Sequence, residues 1–528
     1  MKQYIKEDIK FDYVFSKFNN RFKKFTSKKC DGQSYNWGVL WWTILVGIFT
    51  LSAATSFGQS PTSQTTTDYQ VNTFSTYFQI WSRIAMDDDG NYIIIWASNG
   101  QSEDLDYYVY GQRYNSSGEH IGTEFQLTTS EVNFTSLDVA MNKDGNFVIV
   151  WSAQRYGTAA DIYVRVFNSS GGAMSDSILV NTYLTGNQEY PAVSMSDDGS
   201  FVVTWQSEEQ DELVYGDKGV YAQRFNSLGE AQGSEFRVNN NVTGIQIYPD
   251  VAMDSEGGFV ITWSDNNLNI YAKQYDKGGV IRTSDFLVNT STSKLIEPSI
   301  AMNGSGNFII CWVKSAQNSS NGNVGVFAQR YNSLAMPQGA VFQANSLSQG
   351  LLDETGITMD DYGNFVITWT AALTEDIYAQ LFNSLAVKQG SEFRLNDNTS
   401  GSQNNSDVAM SNKGYFVVTW SAYNLDGSYW GIGARGYTIP NQLLTTANLS
   451  SKDTNDLILY PNPTSGRFQL ETSVPTSGFS EIQVVNSVGC IVHKGAYQPE
   501  LNLLLPPGVY QLIIRNEDGQ MTKSFVIE

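Results

Sequence analysis

Cysteine and histidine are nearly missing from this chain, with three and two copies in 528 residues. So few cysteines exclude a disulfide framework. So few histidines argue against a His-based catalytic or metal centre. Basic charge is scarce as well: 32 Lys and Arg face 53 Asp and Glu, a formal net charge of −21. That balance excludes a nucleic-acid binder, which needs clustered cations against phosphate. Glycine and proline, at 45 and 12 copies, are too few for a collagen-like or low-complexity chain. No convincing helical period appears across residues 68–440. What is present is a hydrophobic fraction of 41% with only 16% charged residues, enough for a large core under a polar surface of low charge density. Such a surface is typical of an exported β-rich chain.

The first 36 residues carry nine Lys or Arg and four Asp or Glu. An apolar run from Trp37 to Leu51 follows, and then small residues at Ser52, Ala53, Ala54 and Gly58. Basic, apolar, then small is the order of a secretory signal peptide, placed here at 1–58 with cleavage after Ala54 or before Gln59. A permanent signal anchor is the alternative, because the basic segment is long and the apolar stretch approaches the ~20 residues of a membrane helix. Cleavage would leave 23 basic and 49 acidic residues, a net charge of −26. No later segment is apolar enough to span a bilayer.

The rest of the chain is organised by a repeat. Trp96, Trp151, Trp205, Trp263, Trp312, Trp369 and Trp420 recur at a mean spacing of 54 residues. A Met stands ten residues before every one, a Gly six before and an aromatic four before. The frame reads as four short strands, a to d. Strand a runs into the Met, and an Asp, Asn or Ser opens a tight turn to the Gly. Strand b runs to the Trp, strand c ends in motifs such as YAQRFN at 221–226, and strand d has the form EFRVNN at 235–240.

The ends of the array complement each other. DYQVNT at 68–73 matches strand d and precedes the first frame, whereas the last frame ends at strand c, GARGYT at 433–438. A ring closes if the N-terminal strand completes the last sheet, which is how a propeller hides its edges. A ~54-residue unit is too short for an independent sandwich of about 100 residues. The expected fold is therefore all-β: a seven-bladed β-propeller at 68–440 closed by an N-terminal strand, then a small C-terminal β-sandwich. Residues 59–67 and 441–455 read as linkers.

Residues shared by all blades are scaffold, so function is expected where blades differ. The recurring Gln112–Arg113, Gln223–Arg224 and Gln329–Arg330 are expected to bond blade to blade. The b–c loops vary most, and variable loops on a rigid scaffold are where binding is placed. They supply the candidate ligand residues Glu103, Asp104, Asp106, Arg155, Tyr156, Glu208, Glu209, Asp211, Tyr423, Asp426, Tyr429 and Trp430. Exposed aromatics beside carboxylates suit sugar stacking or protein contact. No nucleophile elbow, phosphate loop or zinc spacing occurs, so no catalytic residue is assigned. Cys311 reads as a small core residue, and His120 falls in a c–d turn. No metal ligand is assigned. The acidic turns at 86–92 and 195–201 would admit calcium as a cofactor only weakly, since turn chemistry explains all seven copies.

After Asn441 the repeat stops. Three stretches follow, LILYPNPTSGRFQLE at 457–471, IQVVNSVGCIVHKG at 482–495 and LNLLLPPGVYQLIIRNEDGQMTKSFVIE at 501–528. Alternating apolar strands with Gly and Asn turns indicate a sandwich of about seven strands. Residues 456–528 resemble the C-terminal type A sorting domain of type IX secretion system cargo. The motif carriers are Pro461, Asn462 and Pro463, the turn at Gly489, Gly508 with Tyr510, and Lys523 near the end. The resemblance implies export through the inner membrane, passage across the outer membrane by the type IX machinery, and release or surface attachment. The upstream repeat resembles uncharacterised repeats of bacterial secreted β-propellers and implies no activity. The expected function is a secreted or surface-attached binding protein for extracellular polysaccharide or protein. A glycan hydrolase and a structural adhesin are the alternatives. Membrane contact is expected only through the signal segment or surface attachment.

Overall fold

The computed structural model describes residues 63–64, 67–101, 106–129, 133–154, 159–210, 216–266, 268–289, 295–314, 325–346, 352–371 and 374–439 in the repeat region. Beyond it, residues 457–460, 467–472, 481–486, 491–496, 498, 500–503, 505–506, 508–516 and 519–527 are described. The proposed signal segment lies outside these residues.

Each repeat frame folds into an antiparallel sheet with its strands in sequence order. Blade 3 is typical: Gln188–Met195, Phe201–Glu208, Lys218–Phe225 and Phe236–Arg237 form strands a to d. The seven a strands are Gln79–Met86, Asn133–Met141, Gln188–Met195, Gln246–Met253, Leu295–Met302, Leu352–Met359 and Gln403–Met410. Each packs against the a strands of the two adjoining blades, and blade 7 packs on blade 1, so the ring is closed. No helix occurs among the described residues.

The a–b turn follows from local chemistry. In blade 4 the Asp254 carboxylate accepts the N–H groups of Glu256 and Gly258 at 3.1 and 2.7 Å. In blade 2 Asn142 does the same for Asp144 and Asn146. The Gly of this turn has φ between 76° and 96° in all seven blades, a region that a side chain disfavours. Strand b then lies buried between neighbouring sheets, with the seven repeat tryptophans at most 3% exposed. The aromatic that opens strand b stacks on the aromatic that ends strand c, as Phe201 does on Phe225 at 4.9 Å.

Blades are also tied by charge. Arg113, Arg224 and Arg330 each donate to a backbone carbonyl in the c–d turn of the next blade: Ser169, Lys277 and Ser384. The Gln beside each Arg instead bonds within its own blade, as Gln223 does to Gly233 at 3.2 Å. In blades 2, 4 and 7 a cation replaces that Gln. Arg165, Lys273 and Arg435 reach back to carbonyls of the preceding blade, those of Leu127, Val238 and Leu395.

The closure repeats the bonds of the other blades. Tyr69–Gln70 pairs with Ala434 and Gly433 on strand c of blade 7, Trp430–Thr438. Ser63–Gln64 adds a second short pairing, to Thr438 and Tyr437. The Asn72 side chain accepts the Ile432 N–H at 2.7 Å, as Asn181, Asn239 and Asn396 do for strand c of their own blades. Asp68 accepts the Asp397 N–H of blade 6 at 2.6 Å, and Thr73 N–H donates to Glu124 of blade 1 at 2.6 Å. Arg435, 1% exposed, lies between Asp68 and Asp397 at 3.2 and 2.7 Å.

The C-terminal region forms two sheets. One has Leu457–Tyr460, Arg467–Thr472 and Glu500–Asn502; the other has Ile491–Gly495, Glu481–Asn486, Gly508–Asn516 and Gly519–Ile527. Leu470 and Leu501 from the first join Ile482, Val484, Tyr510, Leu512 and Ile514 from the second in one buried core, which makes it a sandwich.

Candidate functional site

The inner end of each blade carries a β-bulge at the entry of strand a. In blades 1, 3, 4, 5 and 7 two residues oppose the single repeat Trp. In blade 6 Glu354 alone is inserted before Thr355, the partner of Trp369. In blade 2 the bulge lies one rung away, between Phe134 and Leu137. The first bulged residue has positive φ in six blades: Trp81 at 58°, Tyr190 at 52°, Tyr248 at 54°, Glu297 at 29°, Glu354 at 44° and Asn405 at 52°. None is glycine, and such a backbone costs about 1–2 kcal/mol per residue. A bulge re-aims side chains, and strain of this kind gathers at functional sites.

Here the bulges open onto the axis of the ring. A cavity of about 210 Å³ lies there, lined by residues of all seven blades. That is room for ten or more waters, on the order of a sugar ring. Ser136, Tyr190, Tyr248, Glu297, Glu354 and Asn405 line it from the bulge position, whereas Trp81 packs on Tyr107 instead. The bulges sit at the end of strand a that receives the d–a connections, beside the b–c loops. Tyr190 and Tyr248 meet edge to face at 5.0 Å, and Tyr190 is 39% exposed. Burial pushes the Tyr190 hydroxyl up to about 12, with Tyr248 and Glu297 adding to the effect. Both oxygens of Glu354 are bonded to Asn405, one to its backbone N–H at 2.5 Å and one to its amide at 2.6 Å.

Two residues further along strand a lie Arg83, Asp138, Asp250 and Asp407, also on the cavity wall. Asp138 accepts the N–H of Val193 in blade 3 at 2.9 Å, Asp250 that of Ile300 in blade 5 at 2.8 Å, and Asp407 that of Ile84 in blade 1 at 2.9 Å. The second oxygen of each accepts the N–H of the following residue, at 2.8 to 2.9 Å. These aspartates therefore strap blades together. Burial pushes Asp138 up to about 7 and Asp250 up to about 6, and raises Asp407, while the bonded N–H groups and Arg83 oppose the shift.

Of the loop candidates, Glu103, Asp104, Arg155, Tyr156 and Asp211 lie outside the described residues. Asp106 stands half-buried just before strand c of blade 1, Tyr107–Tyr114. Glu208 holds the Asn187 backbone and amide at 3.2 and 3.0 Å, and Glu209 accepts the Tyr183 hydroxyl through its carbonyl at 3.0 Å. Asp426 accepts from Asn72 at 3.0 Å and from Ser428 N–H at 3.0 Å, which fixes the blade 7 loop to the closing strand. Tyr429, 53% exposed, stacks on Phe78 at 5.1 Å, and Tyr423 meets Trp430 edge to face at 5.5 Å. Blade 7 thus gathers an aromatic platform with Phe78, a residue that loop variability alone does not single out.

On the other face, Asp88, Asp197 and Asp361 edge a second cavity among the a–b turns. Asp361 accepts from Gly304 N–H and Asn412, and Asp197 pairs with Lys143 at 2.9 Å. Among the described residues no group of three or more His, Cys, Asp or Glu is placed to hold a metal ion. Cys311 is fully buried in strand b of blade 5, Phe308–Lys314, and burial pushes its thiol up to about 12. His120 begins strand d of blade 1, rather than lying in the turn, because its ring packs edge-on against Tyr114 at 4.9 Å. Pro461, Asn462, Pro463 and Gly489 of the sorting motif lie outside the described residues. Gly508 and Lys523 stand in paired strands, and the Tyr510 hydroxyl donates to the Pro506 carbonyl at 2.7 Å.

Residues 458–528 match the family described as "Secretion system C-terminal sorting domain". That domain places the chain among the cargo of the type IX secretion system, destined for the cell surface or extracellular space. No curated protein matches the chain. Among solved structures, a protein of unknown function from Dyadobacter fermentans is similar at 10% identity and a TM-score of 0.43, over 72% of this chain and 99% of that one. The arabinofuranosidase Arb93A of Fusarium graminearum is similar at 10% identity and 0.44, over 72% and 100%. An α-L-arabinanase of Penicillium chrysogenum is similar at 12% identity and 0.42, over 71% and 98%. Likeness at this level says nothing about activity.

Proposed function

We propose that this exported propeller is a binding protein that holds extracellular polysaccharide at the axial cavity, with the b–c loops as the rim. One observation carries this reading. Along the repeat, the Trp, Met, Gly and aromatic columns hardly change, but the bulged column reads Trp81, Ser136, Tyr190, Tyr248, Glu297, Glu354 and Asn405. Six of these seven side chains line a common cavity, and five residue types over seven blades suit an asymmetric ligand. Aromatic faces beside carboxylates and an amide suit sugar rings and their hydroxyls. The exposed Tyr429 and Phe78 stack extends the same face toward a second sugar.

Binding fits the geometry better than hydrolysis does. Burial pushes Asp138 and Asp250 up toward the range of an acid catalyst. Both oxygens of each are, however, engaged by backbone N–H groups. The experiment is a panel of polysaccharides and glycans probed with the full chain, with and without calcium. A specific, saturable hit is the expected result, with no new reducing ends on prolonged incubation. Release of reducing ends, lost on a single Asp or Glu replacement, would establish the hydrolase instead. A blank panel with a folded protein would favour a protein-binding scaffold.

A further inference from the structure

The charge of the axial cavity is one-sided. Among the described residues, Asp138, Asp250, Asp407, Glu297 and Glu354 line it against a single cation, Arg83. Asp88, Asp197 and Asp361 edge the cavity among the a–b turns, so that second cavity is acidic too. The wall also holds hydroxyls that accept hydrogen bonds. Ser406 lines the cavity at 7% exposure, and among the described residues neither its Oγ nor the buried Ser136 Oγ has a hydrogen-bond partner. Tyr190 and Tyr248 add two electron-rich ring faces at the mouth. Carboxylates, acceptor oxygens and tyrosine faces are together the complement of a cationic nitrogen.

We infer that the cavity selects saccharides bearing a free, protonated amino group over their N-acetylated counterparts. This rests on the polysaccharide binding proposed above and adds the class of sugar. An acetyl group removes the positive charge that carboxylates and tyrosine faces attract. The discrimination therefore works through charge.

The test uses the full chain and chito-oligosaccharides of one length in two forms, fully de-N-acetylated and fully N-acetylated, titrated calorimetrically at several pH values from about 5 to 8, because Asp138 and Asp250 are held up to about 7 and about 6 and ionise only toward the upper end. The expected result is roughly tenfold tighter binding of the amino form, with the gap narrowing at high salt. Glu297→Gln with Glu354→Gln should shrink the gap, and Tyr190→Ala with Tyr248→Ala should weaken both forms. Equal affinity or a preference for the N-acetylated form would overturn the selection and leave polysaccharide binding standing. Binding to neither form, with binding to another neutral glycan, would do the same. Failure to bind any glycan would overturn both statements. The wild-type ratio alone decides, so a variant that fails to fold does not blur the outcome.

Discussion

The repeat Trp of strand b and the bulged residue beside it on strand a belong to one small patch of each blade, yet they have separate fates. The Trp is buried in the same way seven times over, at most 3% exposed. Its neighbour has positive φ in six blades and a different role in most of them: two tyrosines at a cavity mouth, a glutamate gripping an asparagine, a tryptophan turned onto Tyr107. The difference teaches how a repeat can specialise. The bulge is imposed by the backbone register of the blade, so its geometry survives a change of side chain. The Trp is held by packing from both adjoining sheets, so its identity does not.

That contrast breaks most visibly on the Trp side. Trp263→Ala should cost about 3–5 kcal/mol, the usual penalty for emptying a large buried site, read as a lower urea midpoint. Binding should then fall only as the protein unfolds. If Trp263→Ala kept full stability but lost binding, scaffold and site would have been assigned the wrong way round.

Next in size is the seam. Asp407 joins blade 7 to blade 1 through the Ile84 N–H. Asp407→Ala leaves two buried N–H groups unpaired, at about 2–3 kcal/mol. Asp138→Ala should cost a similar amount between blades 2 and 3. A null effect at either position would remove the strap interpretation.

The third effect is pH. Asp138 and Asp250 are held in the fold well above the ordinary carboxylate range, up to about 7 and about 6. A raised folded pKa means that the native state binds the proton more tightly than the unfolded chain. The stability it contributes is full below about pH 4 and is lost as pH rises through 6 and 7. The melting temperature should therefore fall by a few degrees between about pH 5 and pH 7.5. Asp138→Asn should flatten that slope even though it lowers the curve.

The smallest stability change belongs to the bulge. Tyr248→Ala removes a half-exposed ring from a strained backbone and should shift stability by no more than about 1 kcal/mol, while ligand affinity drops. Tyr248→Gly should be at least as stable as the alanine variant, because glycine accepts the positive φ. The two variants compared by melting separate backbone strain from side-chain loss.

The architecture was legible in the sequence because each signal was local or repeated. The Met-to-Gly turn, strand b and its Trp appear seven times, and DYQVNT marks the strand that closes the ring. The sorting domain was legible from ordered motifs. The blade-to-blade role of Arg113, Arg224 and Arg330 also follows from their recurrence. The cavity was harder to see. It forms where seven strands meet on one axis, and no local pattern announces that meeting. A signal existed: within an otherwise uniform frame, the position fifteen residues before the Trp varies freely in chemistry. Loop length draws attention elsewhere, to Glu208 and Asp426, whose carboxylates turn out to brace the backbone around Asn187 and Asn72.

The most direct measurement compares the full chain with its Tyr190→Ala/Tyr248→Ala variant for binding to the polysaccharide that the panel identifies, with melting curves recorded for both. The account predicts matching melting curves and at least about a tenfold loss of affinity, or 1.4 kcal/mol. Unchanged affinity in a variant that melts like the wild type would contradict it and move the site off the axis.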